Sequence, residues 1–204
     1  MTTRGDSTKE RILAAAEALV FDRGFAGTSL DEIIDRVGVT KGAFFYHFKS
    51  KADLAKGIVE RFARAEQELF ISLSERAATL ADDPLQEVLL FFKLFEEFVD
   101  GLENPLPGCI FATYTYERHQ FDEGIHEMVR KELDDWGAIY ERKFEKLLTA
   151  RTPRVPTTAR DLAEAAMCLV EGGILMGRVY SDSKLLVRQS AQFRNYLQLL
   201  FAAN

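Results

Sequence analysis

Apolar side chains recur every three or four residues along almost the whole chain, which is the spacing of one face of an α-helix. The first such series consists of Ile12, Leu13, Ala16, Leu19 and Val20. Gly24 then ends the predicted helix. No segment convincingly alternates apolar and polar residues with the period of two that a β-strand requires. The pattern therefore predicts an all-α protein with about nine helices.

Two short helices are predicted to follow the first one. Ser29 with Glu32 three residues later has the form of a capping box, and Gly38 ends the helix that this box begins. Thr40 is suited to cap the next helix, because its hydroxyl accepts from a backbone N–H that otherwise lacks a partner. Two short helices separated by three residues are a helix-turn-helix candidate.

A long helix is predicted to begin at Ser50 with Asp53 and to run to about residue 81. Further chain breaks are expected at residues 82–84, 104–108, 152–157 and 181–183. The last two helices would then occupy about 158–180 and 184–203. We expect an N-terminal three-helix domain at 1–50 and a C-terminal helical domain at 51–204, with no linker between them.

Charge is distributed unevenly along the chain. The net charge is -6, but residues 1–60 contain equal numbers of basic and acidic side chains, so the acidic excess lies beyond them. The window 36–56 has five basic residues and one acidic residue. Such a local positive charge suits a phosphate backbone, although a solvated helix face is an alternative interpretation.

The residues of the predicted third helix suit contact with DNA. In a helix-turn-helix the second helix enters the major groove, and its first residues meet the base edges. Thr40 offers a hydroxyl, Lys41 offers a cation, and the small residues Gly42 and Ala43 let the backbone approach closely. We therefore place the recognition edge at the start of this helix.

Aromatic and basic residues complete this predicted site. Phe44 is placed where it would touch a thymine methyl, while Tyr46 and His47 can donate to phosphate oxygens. Lys51 lies just inside the following helix, where its charge and the helix dipole both attract a phosphate. The alternative for Phe44 is that it packs the core, as expected for Phe48.

Three ordered segments closely resemble the N-terminal domain of the TetR family of bacterial regulators. The segments are RILAAAEALVFDRGF, GTSLDEIIDRVGVTKG and FFYHFKSKADL, and the match covers about residues 8–60. The resemblance implies an all-helical homodimer, a recognition helix at about 40–46, and release from DNA when a small molecule binds the C-terminal domain. The family's prevailing mode favours a repressor acting on a palindromic operator.

The resemblance also implies roles for individual residues. Phosphate contacts are expected from Ser29, Tyr46, His47 and Lys51. Base-facing positions are expected at Lys41, Ala43 and Phe44, with Gly42 as a close-approach residue. The chain departs from the family at Phe45, where a tyrosine is usual, so we expect Phe45 to pack the domain and make no phosphate contact.

The last two predicted helices have strong apolar stripes. On the first stripe lie Leu162, Ala166, Leu169, Val170, Gly173, Ile174 and Gly177, and on the second lie Leu186, Phe193, Tyr196, Leu197, Leu200 and Phe201. By resemblance these helices, at about 158–203, form the homodimer interface, whereas packing within one subunit is the alternative. DNA binding also requires a dimer, because two recognition helices must reach successive major grooves, ~34 Å apart or a multiple of that.

The region between residues 85 and 180 has more aromatic and sulfur-containing side chains than a minimal bundle requires, which suggests a pocket for a largely apolar effector. The candidate ligand-binding residues are Phe92, Phe95, Cys109, Phe111, Tyr114, Trp136, Tyr140 and Met167. Core packing is the alternative for each of them.

Other chemistry has weaker support in the sequence. Cys109 would lie at a helix start, where a lowered thiol pKa suits redox sensing, but free cysteines are usually buried apolar residues. His119, Glu123 and His126 have metal-like spacing, but a loop between them disfavours a metal site. We expect neither a metal nor a cofactor.

Several classes of protein are disfavoured. No signal peptide or stretch of ~20 apolar residues occurs, so we expect a cytoplasmic protein without a membrane segment. No catalytic signature is present, which argues against a helical enzyme. A helical adaptor that has lost DNA binding is a further alternative, against which the intact Lys41, His47 and Lys51 argue.

Overall fold

The computed structural model describes residues 4–202, with side chains from Ser7 onward. Within that range every regular element is a helix. The nine α-helices there are α1 (Arg4–Arg23), α2 (Leu30–Val37), α3 (Lys41–His47), α4 (Lys51–Leu80), α5 (Pro84–Asp100), α6 (Ile110–Tyr116), α7 (Glu123–Ala150), α8 (Ala159–Tyr180) and α9 (Leu185–Leu200). A 3₁₀ turn, Arg118–Gln120, lies between α6 and α7. The predicted all-α class is confirmed.

Three helix starts that were predicted from capping residues are present. Ser29 and Thr40 each accept a hydrogen bond from the backbone N–H three residues later, at 3.2 and 3.1 Å. Ser50 does the same at 3.0 Å, just before α4. Since the first N–H groups of a helix have no partner within it, these hydroxyls fix where α2, α3 and α4 begin.

The chain divides by its internal packing into two compact units. Unit 1 comprises the chain up to Glu66 together with Gly108–Glu132. Unit 2 comprises Gln67–Pro107 together with the chain from Leu133 onward. Unit 1 thus contains α1, α2, α3 and α6, whereas unit 2 contains α5, α8 and α9. The long helices α4 and α7 contribute residues to both units.

The core of unit 1 lies where α1 packs against α2 and α6. Its buried side chains include Ile12, Leu19, Ile33, Phe44, Leu54 and Ile58, which come from the first four helices. An ion-pair cluster adds to this packing, because Arg61 on α4 binds Glu17 on α1 at 2.6 Å and also binds Glu10. The short helices α2 and α3 therefore share one buried face with α1 and α4.

The core of unit 2 lies where α9 packs against α5 and α8. Gly173 lets α8 approach α9 closely, because a Cβ there would lie 2.6 Å from Cδ1 of Leu186. The buried aromatic residues of this core are Phe70, Phe91, Phe92, Phe95, Trp136, Tyr140, Phe144, Phe193 and Phe201. Burial of so much apolar surface is the main source of stability for this unit.

The carboxylate of Glu96 lies inside this apolar core. Glu96 on α5 is 3% exposed, and its two oxygens accept from Arg194 on α9 at 2.7 and 2.9 Å. Ser190 donates a third hydrogen bond at 3.0 Å. Because a buried charge is costly without donors, these bonds are what allow Glu96 to lie among aromatic side chains. They also join α5 to α9.

The apolar residues of α8 fall on two faces. Most of the predicted stripe on α8 is buried or half-buried within unit 2, including Leu162, Ala166 and Val170. A second set of large apolar side chains is exposed, namely Leu175, Met176, Val179 and Tyr180 on α8, with Tyr196 and Leu199 on α9. We call this set the α8–α9 apolar face. Within residues 4–202, none of the helices is both long and apolar enough to cross a membrane.

The buried ion pair provides a test of stability. Arg194→Ala is expected to lower the free energy of unfolding by about 3 kcal/mol, because the Glu96 carboxylate then stays buried without its cation. Urea unfolding followed by circular dichroism, at one fixed protein concentration, measures the change. The matched control is Arg160→Ala, which removes an exposed pair with Glu164 and should change stability little. Equal losses in the two variants would contradict the role of Glu96.

Candidate nucleic-acid interface

The turn between α2 and α3 is fixed at both of its ends. α2 ends at Gly38, whose φ of 70° is the left-handed conformation that favours glycine. The N–H of Gly38 donates to the carbonyls of Ile34 and Asp35, which satisfies the end of the helix. Thr40 then caps α3, as described above. The end of α2 and the start of the seven-residue helix α3 are thereby fixed.

The outer side of α3 presents most of the predicted DNA-binding residues. Thr40, Lys41, Gly42 and Tyr46 are exposed, whereas Ala43 and His47 are half-buried. The side chain of Lys41 is 69% exposed and Tyr46 is 75% exposed. A Cβ at Gly42 would meet only Oγ1 of Thr40, at 3.9 Å, so the space beside Gly42 is open to a partner. Thr40, Lys41 and Tyr46 therefore leave a hydroxyl, a cation and a phenol accessible from solvent.

The structure reverses the predicted placement of two phenylalanines. Phe44, for which core packing was the alternative to a base-facing position, is fully buried and lies 5.8 Å from the Phe48 ring, between ring centroids, so the core alternative is correct. Phe45, expected to pack the domain, is 42% exposed. The reason is helical spacing, since Phe44 and Phe48 lie one turn apart on the inner side, whereas Phe45 and Lys41 share the outer side. A groove contact by Phe44 is excluded while it stays buried.

Ser29 and Lys51 flank α3 at the starts of neighbouring helices. Ser29 is exposed, and its hydroxyl caps α2. Lys51 is half-buried, and its Nζ donates to the carbonyl oxygen of Phe25 at 2.7 Å and lies 4.5 Å from the Phe25 ring centroid. Burial lowers the pKa of Lys51, while the charge of Glu117 opposes that shift. One N–H of Lys51 is thus used inside the protein.

Lys41 has an acidic neighbour that the sequence analysis did not identify. Nζ of Lys41 lies 2.8 Å from a carboxylate oxygen of Asp31, which belongs to the first turn of α2. The hydrogen bond and the charge of Asp31 raise the pKa of Lys41, and the more distant Asp35 adds to the shift. The two partners are ten residues apart on different helices, so no local pattern in the sequence indicates their contact.

Glu117 also has a contact with the DNA-binding unit that no pattern in the sequence indicates. It follows the last residue of α6, and its carboxylate accepts from the backbone N–H groups of Phe25 and Ala26 at 3.1 and 2.7 Å. Both belong to the turn between α1 and α2. Gly24, with φ of 80°, lies so close that a Cβ there would be 2.0 Å from Oε1 of Glu117. The turn therefore needs glycine for conformation and for space.

Aromatic packing surrounds the same turn. The Phe25 ring lies 4.8 Å from the Phe121 ring and 5.6 Å from the Tyr114 ring, between centroids. Tyr114 is buried, and its hydroxyl donates to the carbonyl oxygen of Ala55 on α4 at 3.2 Å. Burial raises the pKa of Tyr114, so the phenol stays protonated as a donor. The segment from α6 to Phe121 thus holds the start of the helix-turn-helix.

Comparison with known families identifies this arrangement. A sequence model described as "Bacterial regulatory proteins, tetR family" matches residues 12–58, which include α2 and α3. A second, described as "Transcriptional regulator LmrA/YxaF-like, C-terminal domain", matches residues 84–192. The chain belongs to the TetR family of transcriptional regulators. The helix-turn-helix predicted from the sequence is therefore confirmed as that of a DNA-binding regulator.

Relatives match over nearly the whole chain. An uncharacterized HTH-type transcriptional regulator in the lacX 3' region of Lactococcus lactis subsp. lactis is 27% identical, covering 88% of this chain and 88% of the relative. The HTH-type transcriptional regulator LmrA of Bacillus subtilis (strain 168) is also 27% identical, covering 92% and 94%. A TetR-family regulator from Agrobacterium tumefaciens has the same fold, with a TM-score of 0.79 at 23% identity, covering 98% and 100%.

The predicted ligand-binding residues of this TetR-family chain fall into two groups. In unit 2, Phe92, Phe95, Trp136 and Tyr140 are buried in the aromatic core, and the partly buried Met167 packs against it. In unit 1, Cys109, Phe111 and Tyr114 are buried. There the Phe111 ring contacts Phe62, at 5.2 Å between centroids, and Tyr114 packs as described above. The structure thus brings five of the eight residues together.

Trp136 has an unusual environment within the first group. Its side chain is 93% buried, and Nε1 has no hydrogen-bond partner among the described residues. Rings of Phe70 and Tyr140 lie 5.9 and 6.0 Å from the Trp136 ring, between centroids. A buried N–H donor without an acceptor costs roughly 1–3 kcal/mol, so its presence needs an explanation.

A cavity of about 80 Å³ lies elsewhere in unit 2, near the end of α8. Its lining includes Gly173, Gly177, Arg178 and Lys184, together with residues of the loop that follows α5. None of the eight predicted ligand-binding residues contributes to this lining. This cavity is therefore separate from the set formed by Phe92, Phe95, Trp136, Tyr140 and Met167, which we call the aromatic group.

The remaining candidate groups have ordinary environments. Cys109 is the buried residue immediately before α6. His119 is exposed, while His126 approaches the carbonyl oxygen of Arg118 at 3.1 Å and a carboxylate oxygen of Glu123 at 3.4 Å. Among the described residues, no three His, Cys, Asp or Glu side chains are placed to hold a metal ion.

The close approach of Glu117 to Gly24 is tested with a matched pair of glycine substitutions. Gly38→Ala adds a Cβ to a left-handed residue with nothing within 4 Å, so it should cost about 1 kcal/mol of stability. Gly24→Ala adds the same strain and also displaces the Glu117 carboxylate, so it should cost distinctly more. Chemical unfolding of both variants measures the difference. Equal costs would show that Glu117 is not held in place.

Proposed function

We propose that this chain is a homodimeric, cytoplasmic repressor that leaves a palindromic operator when a small, largely apolar molecule binds its C-terminal domain. The observation that supports this most directly is helix α3, whose start is fixed by the turn at Gly38 and the cap at Thr40, with its exposed hydroxyl, cation and phenol groups. In this proposal residues 1–50 bind DNA together with Lys51 at the start of α4, while the C-terminal domain at 51–204 otherwise binds the effector and dimerises.

The contacts with DNA follow from the accessible groups. Phosphates are bound by Ser29, Tyr46 and His47, and by the remaining N–H groups of Lys51. Bases are read by Lys41 and by the start of α3 at Thr40, with Gly42 and Ala43 allowing close approach. Phe45 takes the apolar position at the groove that was first assigned to Phe44, because Phe45 is the exposed ring. A thymine methyl is its natural partner.

The α8–α9 apolar face is the proposed dimer interface. Large apolar side chains exposed on adjacent helices are costly in water and favour a surface that another protein covers. A second copy of the same chain supplies a matching surface by two-fold symmetry. Helix pairs from two subunits would then form a four-helix bundle. The same symmetry presents two copies of α3 to one face of a duplex.

The effector is proposed to bind at the aromatic group of unit 2. The apolar walls come from Phe92, Phe95, Tyr140 and Met167, and the N–H of Trp136 supplies one donor. An effector with an oxygen or nitrogen acceptor would accept a hydrogen bond from this N–H. Such an effector would account for the buried donor that has no acceptor among the described residues. Entry of the effector requires the core to open, which couples binding to a change of shape.

Release follows from a shift between two arrangements of the dimer. The effector binds more tightly to the arrangement in which the two copies of α3 no longer match the spacing of the grooves. The long helix α4 is the proposed lever, since it contributes residues to both units. A molecule that binds both arrangements equally would leave operator affinity unchanged.

The DNA-binding and dimer proposals are tested together by selection from random DNA. The purified protein should select a site with two-fold symmetry. Val179→Glu places a charge in the α8–α9 apolar face and should yield a monomer that binds the selected site about 100-fold more weakly, because one half-site alone is engaged. Sedimentation and electrophoretic shift measure the two effects.

The control for the interface variant is Val155→Glu, which alters an exposed valine outside the helices. It should leave both the dimer and its affinity unchanged. Selection of sites without two-fold symmetry would contradict the dimeric-operator proposal. A Val179→Glu protein that stays dimeric would contradict the interface alone.

The effector site is tested through Trp136, which is the only tryptophan of the chain. Small apolar compounds with one acceptor are screened for a shift of its fluorescence, and those that shift it are tested for release of operator DNA. Trp136→Phe should weaken binding of such a compound about threefold to tenfold by calorimetry, because one hydrogen bond is lost. Operator affinity without the compound should stay unchanged.

Tyr116→Phe is the control for the effector site, because it removes an exposed hydroxyl outside the aromatic group. This variant should bind the compound as the unaltered protein does. Compounds that release DNA without any effect of Trp136→Phe would place the effector elsewhere in the chain.

A further inference from the structure

An acidic side chain lies beside the proposed base-reading residue. Asp31, in the first turn of α2, pairs with Nζ of Lys41 at 2.8 Å. Their side chains are 71% and 69% exposed, so the pair lies on the accessible surface and not in the core. Since Lys41 is the first residue of α3, its ammonium group has two competing partners, namely Asp31 in the free protein and DNA in the complex.

We propose that Asp31 is a specificity-determining residue, which holds the ammonium group of Lys41 until a base acceptor of the operator replaces the carboxylate. This inference rests on the proposed contact of Lys41 with DNA. A cation already paired with a carboxylate adds little to the attraction for phosphates, and the carboxylate itself repels them. Asp31 therefore weakens binding to any DNA that offers phosphates alone.

The operator can compensate for the loss of this pair, whereas other DNA cannot. Two acceptors on one guanine edge bind a lysine in a directed contact, while phosphates on random DNA attract it only through charge. When the ammonium group of Lys41 leaves Asp31 for such a base edge, one hydrogen-bonded partner replaces another. Random DNA offers the ammonium group no equivalent partner. The effect of Asp31 should thus be larger on random DNA than on the operator.

Asp35 provides the matched comparison within the same helix. It raises the pKa of Lys41 through its charge alone, whereas Asp31 acts through both a hydrogen bond and its charge. Asp31→Asn and Asp35→Asn therefore make the same change in net charge on α2. Only the first removes the partner that binds the ammonium group. A difference between the two variants measures that contact and not the overall charge of the surface.

The experiment measures affinity for the selected operator and for a random-sequence duplex over a series of KCl concentrations. Asp31→Asn should raise affinity for the random duplex about twofold to fivefold, the range of an exposed ion pair. It should also steepen the salt dependence by about 0.9 in log–log slope, because one more cation meets a phosphate. Operator affinity should rise less, so that the ratio of the two affinities falls. Asp35→Asn should change this ratio less than Asp31→Asn.

A double-mutant cycle decides whether Lys41 is involved. In a Lys41→Ala background, Asp31→Asn should no longer raise affinity for the random duplex beyond the effect of Asp35→Asn. Asp31→Glu keeps a carboxylate within reach and should retain the original affinity ratio. The thermal unfolding midpoint of each variant, measured without DNA, shows that it is folded under the assay conditions.

The outcomes separate this inference from the proposed function. An equal rise on operator and random DNA, or an undiminished rise in the Lys41→Ala background, would overturn the role of Asp31. Full operator affinity in the Lys41→Ala single variant would instead contradict the proposed contact of Lys41 with DNA. Loss of operator binding in that variant, with no effect of Asp31→Asn on either DNA, refutes only the inference.

Discussion

The DNA-binding unit depends on the bond between the carboxylate of Glu117 and the backbone N–H groups of Phe25 and Ala26. Two N–H groups in a turn need acceptors, and this carboxylate supplies them from the residue after α6, ninety-one residues beyond Ala26. The same turn orients Phe25, which Lys51 and Tyr114 then contact. The position of α6 and the position of the helix-turn-helix are consequently not independent. A movement of α6 must either carry the turn with it or break hydrogen bonds.

Glu96 and Trp136 both place a polar group in the interior of unit 2, but the two groups have different environments. In unit 2, Glu96 is matched by Arg194 and Ser190, so its burial is compensated and joins two helices. Trp136 in the same core is not matched among the described residues. A fully compensated group indicates a role in structure, whereas a buried donor without an acceptor leaves a hydrogen bond that a group from outside the chain can supply. This contrast is why the proposed effector site centres on Trp136 and not on the charged pair.

Local signals in the sequence were sufficient for the helices but not for the orientation of their side chains. Ser29, Gly38 and Thr40 fix helix ends through bonds to near neighbours, so their roles can be predicted. The orientation of Phe44 and Phe45 depends on a rotation of one short helix by about 100° per residue, which only packing against other helices decides. Contacts of Asp31 and Glu117 join segments that no periodic pattern relates. The candidate ligand-binding residues follow the same helical spacing as the core residues. Composition alone therefore could not show that Phe111 lies in unit 1 whereas Trp136 lies in the aromatic core of unit 2.

The exposed side chains of α8 and α9 also have a consequence for the level of protein that a cell needs. If the α8–α9 apolar face pairs two chains, only the paired form engages both halves of an operator. At concentrations below the dimer dissociation constant, the amount of paired protein rises with the square of the amount of chain. Occupancy of the operator would then respond steeply to synthesis and degradation. A twofold fall in copy number would act almost as a fourfold fall in paired protein.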